Sequence, residues 1–420
     1  MNSDLKNRIL FTIFILLIYR VGTFIPIPGV NGVVIGQFFS SKGSIFGMIN
    51  MFSGGALERM SIFALNIMPY ITASIIMQLM TSVYKGLESL KKEGEYGRRK
   101  INQYTKYLTI VLAIVQSVGV YYAFLGFSQS AFISDSKIFL WTTCCSLVAG
   151  TAALMWLGDR ITSRGIGNGI SLLIFVGIVS GMPSSFVQIL ELSRKGTYSW
   201  MLVILLLVLL VGIIVFIVFV EKTVRNIRIQ YPNRGMMKQA GISDASYIPL
   251  KVNASGVIPP IFASSILMFP TAISQFYEGG IGDVISGLLR RGSMFYFVIF
   301  AILIAFFCFF YSTVVFNVED VADNLKKNNC FIPGVRPGRS TIDFFDKIVT
   351  RLTVIGSIYL ILVCLIPEIL MARYSIPLSV GGTGLLIIVS VIIDLVTQVQ
   401  SYLFSDRYNN INRKRKIRVR

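Results

Sequence analysis

The chain has 420 residues, 54% of them hydrophobic and only 14% charged, with a mean hydropathy of +0.71. Those values exclude a soluble globular domain and describe a polytopic membrane protein. It carries 39 basic residues against 20 acidic ones and no histidine, and Cys144, Cys145, Cys308, Cys330 and Cys364 show no CxxC spacing. Imidazole catalysis, histidine-ligated metals and thiolate metal sites therefore have no sequence support, and no cofactor is expected.

The first apolar run, Ile9–Ile25, follows a short basic stretch and lacks a small-residue cleavage site before IPIPG, so it reads as an uncleaved anchor. Residues 45–59, IFGMINMFSGGALER, form a Gly-broken amphipathic piece that leads into a long apolar helix carrying Pro69. A hinged, half-inserted segment is costly in lipid and survives only where it lines or blocks a protein cavity. On its own it reads as a re-entrant or interfacial helix.

Runs able to cross about 30 Å of hydrocarbon lie near 9–25, 61–83, 105–126, 138–158, 168–191, 199–221, 252–273, 294–316, 351–370 and 379–402, ten in all. Thirty of the 39 basic residues fall in the amino terminus, in alternate loops and in the tail, so these are read as cytoplasmic together with both termini. Ten spans divide into two sets of five, and because five is odd the second set enters the membrane with opposite topology. The predicted fold is all-α, with ten transmembrane helices in two inverted five-helix halves around a central pore. The halves are placed at residues 1–193 and 194–405, followed by a basic tail at 406–420.

The spans carry few charges, with Glu368 and Asp394 read as end-of-helix residues near the headgroups. A secondary transporter would need buried titratable groups and an intramembrane enzyme a catalytic set, and neither is evident. No GxxxxGK[ST] is present, so energy has to come from a partner or a gradient. Small polar residues do occur in the spans: Thr72, Gln78, Gln116, Asn168 opening the fifth and Asn253 opening the seventh. Each alone reads as an interhelical hydrogen bond.

Two long loops are more than topology requires. Residues 222–251 alternate apolar and charged in VRNIRIQY, break at PNRG and return through YIPLKV, which predicts a hairpin. Residues 317–350 open on NVEDVADNLKKNN, whose Val318, Val321 and Leu325 share a helical face, and reach PGVRPGRST, where two Pro-Gly pairs rigidly display Arg336. Loops of this kind suit a docking face for a large partner.

NMFSGGAL, IMPYI, KKEGEYGRRKI, RGIGNGIS, PLKVN, GVIP, IFASSI, ADNLKK, PGVRPG, TRLT, CLIPE and DLVTQVQ occur in that order. Together they resemble the SecY family, the channel subunits of the bacterial general protein translocase, from about Tyr19 to Tyr408. The resemblance implies a channel, not an enzyme, in the bacterial cytoplasmic membrane. It would pass unfolded secretory polypeptides outward and release signal sequences and membrane helices sideways between the second and seventh spans. It further implies a pore ring of Ile67, Ile71, Ile170, Ile174, Ile261 and Ile387, a collar that dewets when empty and deforms around a passing chain. The 45–59 segment becomes the plug, with Gly54 and Gly55 as hinge and Met48, Met51 and Phe52 as its soft apolar surface. Thr72, Gln116 and Asn253 become a polar lateral-gate cluster, and Arg336, Arg339, Lys238 and Arg234 become docking residues for a motor or ribosome. The implied partners are SecE and SecG small subunits, the SecA ATPase, the ribosome, signal-sequence-bearing polypeptides and anionic lipids. Lys238 is followed by Gln239 where the family often has consecutive basic residues, and only eight residues precede the first span.

Overall fold

A computed structural model describes residues 3–29, 53–125, 136–196, 198–230, 246–274, 287–288, 292–328, 330–374 and 381–418. Among them are twelve helices and one two-stranded sheet. The helices are α1 (Ser3–Gly22), α2 (Met68–Val83), α3 (Lys85–Lys92), α4 (Glu95–Leu125), α5 (Ser136–Arg164), α6 (Gly169–Arg194), α7 (Trp200–Lys222), α8 (Ile258–Ser274), α9 (Met294–Val315), α10 (Val318–Lys327), α11 (Arg339–Tyr374) and α12 (Gly382–Arg418). Strands β1 (Val224–Ile229) and β2 (Ser246–Lys251) lie between α7 and α8.

Ten of the twelve helices fall on the ten predicted apolar runs; α3 and α10 are short and amphipathic. Helices α5, α6, α7, α9, α11 and α12 are each long and apolar enough to cross a membrane, while α2 and α8 are shorter apolar helices. Both short ones begin later than their runs predict, at Met68 instead of 61 and at Ile258 instead of 252. Backbone conformation is the reason. Met60 and Asn66 sit at φ of 43° and 49°, and Gly256 at 63°, values that a right-handed helix cannot include. The helices then start where Pro69, or Pro259 and Pro260, occupy the first turn, the one place where a missing N–H costs nothing.

By packing, the described helices form two compact units. The first holds α1 through α6 with α12; the second holds most of α7 and α8, the strands, and α9 through α11. Small residues allow close approach in the first unit. A Cβ on Gly169 would stand 2.0 Å from the Gly158 carbonyl oxygen, so α5 and α6 meet almost backbone to backbone. The turn between them, RGIGNG, is wired to three helices. Thr12 Oγ1 of α1 accepts from the Ile166 amide at 3.1 Å, Gln398 Oε1 of α12 accepts from Gly167 at 2.8 Å, and Thr162 Oγ1 accepts from Gly169 at 2.9 Å. Asn168 then caps α6, its Oδ1 accepting from the Ile170 amide at 3.2 Å. Lys106 of α4 pairs with Asp159 of α5.

In the second unit α9 packs along α11, with Cys308 Sγ 3.9 Å from Thr353 O and the Ser312 and Thr353 hydroxyls 2.8 Å apart. The predicted hairpin forms: β1 pairs antiparallel with β2 from Val224 opposite Lys251 to Ile229 opposite Ser246. Glu368 differs from expectation. Helix α11 continues to Tyr374, so Glu368 lies inside it and is buried at 6% exposure, not exposed at a helix end. Asp394 is exposed.

Candidate functional site

Residues 53–67 lead into α2 without forming a regular helix, yet they are among the most buried of the described residues. Ala56, Leu57, Met60, Ser61 and Ala64 are each at 1% exposure or less. Buried irregular backbone needs partners for its polar groups, and two come from the stretch just after α1: the Ile27 amide donates to Met60 O at 2.9 Å and the Ile62 amide to Ile25 O at 3.0 Å. Others are tight turns, with the Ser61 amide donating to Ala56 O and that of Ala64 to Ser61 O, both at 2.9 Å.

The walls around this segment are notched by missing side chains. A Cβ on Gly22 of α1 would strike the Phe63 ring at 2.1 Å, and one on Gly150 of α5 would strike the Ile62 carbonyl oxygen at 2.1 Å. Gly54 and Gly55, predicted as a hinge, sit at φ of 62° and 83°, where a side chain is strained. Gly54 also abuts α6: an added Cβ would lie 2.4 Å from Ser180 Oγ and 2.6 Å from Gly177 O. Met48, Met51 and Phe52 lie outside the described residues.

Of the six isoleucines predicted to line a pore, Ile67 and Ile71 stand at the start of α2, Ile170 and Ile174 on the first turns of α6, and Ile387 near the start of α12, all in the first unit. The i,i+4 spacing of the α2 pair is physically made, since the Ile71 amide donates to Ile67 O at 3.0 Å. Ile67, Ile174 and Ile387 are buried, whereas Ile71 and Ile170 are half-buried. Ile261 belongs to the second unit, half-buried on the first turn of α8, its carbonyl accepting from Ser264 and Ser265 hydroxyls at 2.9 and 2.8 Å.

The polar trio is distributed in the same manner. Thr72 is buried and donates back to Met68 O at 3.0 Å, and Gln116 is half-buried on α4, which packs against α2. Asn253, in the second unit, does not open a helix; it sits in the turn before α8. Its amide donates to Glu221 Oε1 at 2.7 Å and to Gly256 O at 3.1 Å, and its Oδ1 accepts from Ser255 at 3.1 Å. Asn253 is therefore held by its own unit through a charge-assisted bond.

The two long loops of the second unit share a single small core. Ile227 of β1, Leu250 of β2, Ile332, and Phe345, Ile348 and Leu352 of α11 are buried together, with Val318, Val321 and Leu325 of α10 packed on them. A short bridge between Gln230 and Phe331, with bonds of 2.9 and 3.1 Å, ties the hairpin to the 330s. Only four residues beyond buried Ile332, Arg336 is exposed between Gly334 at φ 84° and Gly338 at φ 104°. Its carbonyl accepts from Thr341 Oγ1 at 3.0 Å. The tip is thus fixed by its backbone while the Arg336 side chain is exposed. Arg339 is also exposed; Arg234 and Lys238 lie outside the described residues.

A family profile described as SecY matches residues 61–396. The chain belongs to the SecY family. A protein translocase subunit SecY of Rickettsia bellii is 50% identical over 423 residues, covering 99% of this chain and 98% of the relative. The Escherichia coli K12 protein of the same name is 46% identical over 419 residues, 98% and 95% of the two chains. Among solved structures, one described as a protein conducting channel aligns with a TM-score of 0.68 at 18% identity, over 96% of this chain and 93% of that one. Sec61 from a canine ribosome-channel complex aligns with a TM-score of 0.63 at 19% identity, over the same shares. The ten apolar helices in two halves are the architecture of the SecY fold, and the chain is a multi-pass protein of the bacterial inner membrane.

Three further groups at the candidate sites are set by contacts that sequence spacing does not reveal. Arg20 lies inside the first apolar run, Glu221 at the end of the sixth, and Gln398 near the end of the tenth. A signal for the first existed: an arginine within a membrane span demands a partner. Glu221 and Gln398 act on residues 32 and 231 positions away, at separations where sequence spacing carries no information.

Proposed function

We infer that this chain conducts unfolded polypeptides across the bacterial inner membrane and releases apolar segments sideways into lipid, with energy supplied by external motors. Membership of the SecY family over residues 61–396 carries this reading. Support comes also from the 53–67 segment, buried irregular backbone of the kind that persists at membrane depth only where protein surrounds it.

In this reading the two inverted halves are residues 1–193 and 194–405, with both termini cytoplasmic. Ile67, Ile71, Ile170, Ile174, Ile261 and Ile387 form an aliphatic collar that obstructs ions when empty. The plug is residues 45–59, and Gly54 and Gly55 let it swing. Thr72, Gln116 and Asn253 form a gate that an apolar signal sequence can displace, since polar contacts of about 1 kcal/mol inside membranes yield readily.

The loop module carrying Arg336, Arg339, Arg234 and Lys238 is the cytoplasmic dock for a SecA-type ATPase and for the ribosome. The ribosome is favoured by two structural relatives: canine Sec61 from a ribosome-channel complex, and a yeast Ssh1 complex bound to the 80S ribosome. SecE- and SecG-like subunits complete the channel, and anionic lipids surround its basic face.

The test is transport itself. Vesicles holding the purified channel complex, supplied with a motor ATPase and ATP, are expected to protect a secretory precursor from added protease. Precursor that stays protease-sensitive under conditions where a relative's vesicles protect it would refute the function.

A further inference from the structure

We propose that Arg20 and Arg59 bind the phosphate of an anionic phospholipid whose acyl chains lie along the exposed face of α1, a site that rests on the reading of anionic lipids as partners and gives them one place on the chain. Phe24, just beyond α1, is its centre. The Arg20 guanidinium carbon lies 4.9 Å from the centroid of that ring, and the Arg59 guanidinium carbon lies 4.2 Å from it. Two cations therefore converge on one aromatic side chain, no further apart than those two distances together.

Both are built into place. Arg20 uses a single nitrogen, Nη1, to donate to the Gly54 carbonyl at 3.1 Å and to Ser180 Oγ at 3.0 Å, and its Nη2 and Nε bond to no described residue. Arg59 is set beside the end of α1 by the backbone. Pro26 and Ser61 form a short antiparallel bridge, with the Ile27 amide on Met60 O at 2.9 Å and the Ile62 amide on Ile25 O at 3.0 Å. Met60 is fully buried next to it, while Arg59 itself is exposed.

Like charges held this close call for an anion. Among the described residues no carboxylate forms an ion pair with either guanidinium, the adjacent Glu58 included. The surface around the pair says what kind of anion fits. Leu10, Phe14, Leu17, Val21 and Phe24 follow one another at spacings of four and three, and each is more than half exposed. They form one apolar stripe along α1 that ends at the two arginines. Arg20 lies about one helical turn inside the end of the first apolar run, so its stem can carry the charge toward the headgroups. A phospholipid supplies both halves: acyl chains for the stripe, and a phosphate that guanidinium forks bind through paired N–H groups. A zwitterionic lipid brings its own cation beside the phosphate, so two arginines favour a lipid with net negative charge.

The experiment places a reporter in the site. Phe24→Trp keeps an aromatic face for both cations, and its fluorescence is quenched by contact with brominated acyl chains. Quenching is measured for the reconstituted channel complex in vesicles in which either phosphatidylglycerol or phosphatidylcholine carries the bromine, with the chain that keeps Phe24 giving the background of the three native tryptophans. Phosphatidylglycerol is expected to be preferred about fivefold or more, and Arg59→Gln to lower that preference about fivefold, the factor carried by one basic residue at an anionic headgroup. Arg59→Lys should fall between, since it keeps the charge without the fork or the stacking. Equal quenching by the two lipids overturns the site. A preference that Arg59→Gln leaves unchanged overturns it too, because the lipid would then be held elsewhere around Phe24. Quenching by neither lipid shows that protein, such as the helix of a partner subunit, covers the stripe, and this also overturns it. No transport step enters the measurement, so a channel that fails to protect a precursor loses the transport reading and not this site.

Discussion

Residues 53–67 and the loop module around Arg336 are both irregular stretches between helices, yet they are held in opposite ways. The first is buried against neighbouring elements. It sits in notches that Gly22 and Gly150 leave in neighbouring helices, and its backbone is served by Arg20 of α1 and by Ile25 and Ile27 just beyond it. The second carries its own core, in which Phe345 is fully buried among Ile227, Leu250 and Ile332. A segment seated in other elements' notches owes its position to them, whereas one with a private core keeps its surface by itself. The first design suits a stopper and the second a docking face.

The largest effects should separate the two designs. Deleting Phe46–Glu58 is expected to raise resting conductance by more than tenfold while motor binding to the loop module is unchanged; a leak equal to wild type would remove the stopper from the comparison. Phe345→Ala should do the reverse. Truncating a fully buried phenylalanine costs about 3–5 kcal/mol, enough to loosen a module this small. Protease should then cut near Arg336 and ATPase-driven export should collapse, with resting conductance at the wild-type level. Arg336→Glu should abolish the same export with the module intact, as judged by unaltered protease resistance.

A smaller effect is expected at Gly150. Its Cβ would stand 2.1 Å from the Ile62 carbonyl oxygen, so Gly150→Ala must displace either α5 or the segment, a strain of about 1–3 kcal/mol. The leak should rise severalfold without change in export rate. Export falling in step with the leak would mean that Gly150 supports the whole first unit and not the segment alone.

Much of this was readable in the residues, for reasons that differ by region. Ten spans are visible because hydrocarbon thickness demands long apolar runs, and the loop module because Val318, Val321 and Leu325 repeat at helical spacing and VRNIRI alternates. Helices α2 and α8 start later than their apolar runs, since hydropathy says nothing about the positive φ of Asn66 and Gly256. Glu368 was placed at a helix end because the apolar run stops near it, while the helix itself continues to Tyr374. The wiring of the RGIGNG turn was invisible because its acceptors, Thr12 and Gln398, lie 154 and 231 residues from their donors. Arg20 is legible in principle as one charge in a run that is otherwise apolar.

The smallest expected effect concerns Asn253, which the resemblance places in the gate. Both of its N–H groups are already committed, one to Glu221 at 2.7 Å and one to Gly256 O at 3.1 Å. A gate residue so occupied has only acceptor capacity left on Oδ1 for a partner across the gate. Glu221→Ala would release one donor, and an amide donor freed inside a membrane will seek another acceptor. The variant should therefore hold the gate slightly tighter, slowing insertion of a signal sequence by roughly fivefold, the equivalent of about 1 kcal/mol. Glu221→Gln keeps an acceptor oxygen for Asn253 and should fall between. Crosslinking of a signal sequence to the gate over time measures this. Faster insertion in Glu221→Ala would show the opposite: that Glu221 acts by holding Asn253 in its gate position, and that the polar trio depends on the second unit's own bonds as closely as the 53–67 segment depends on Arg20.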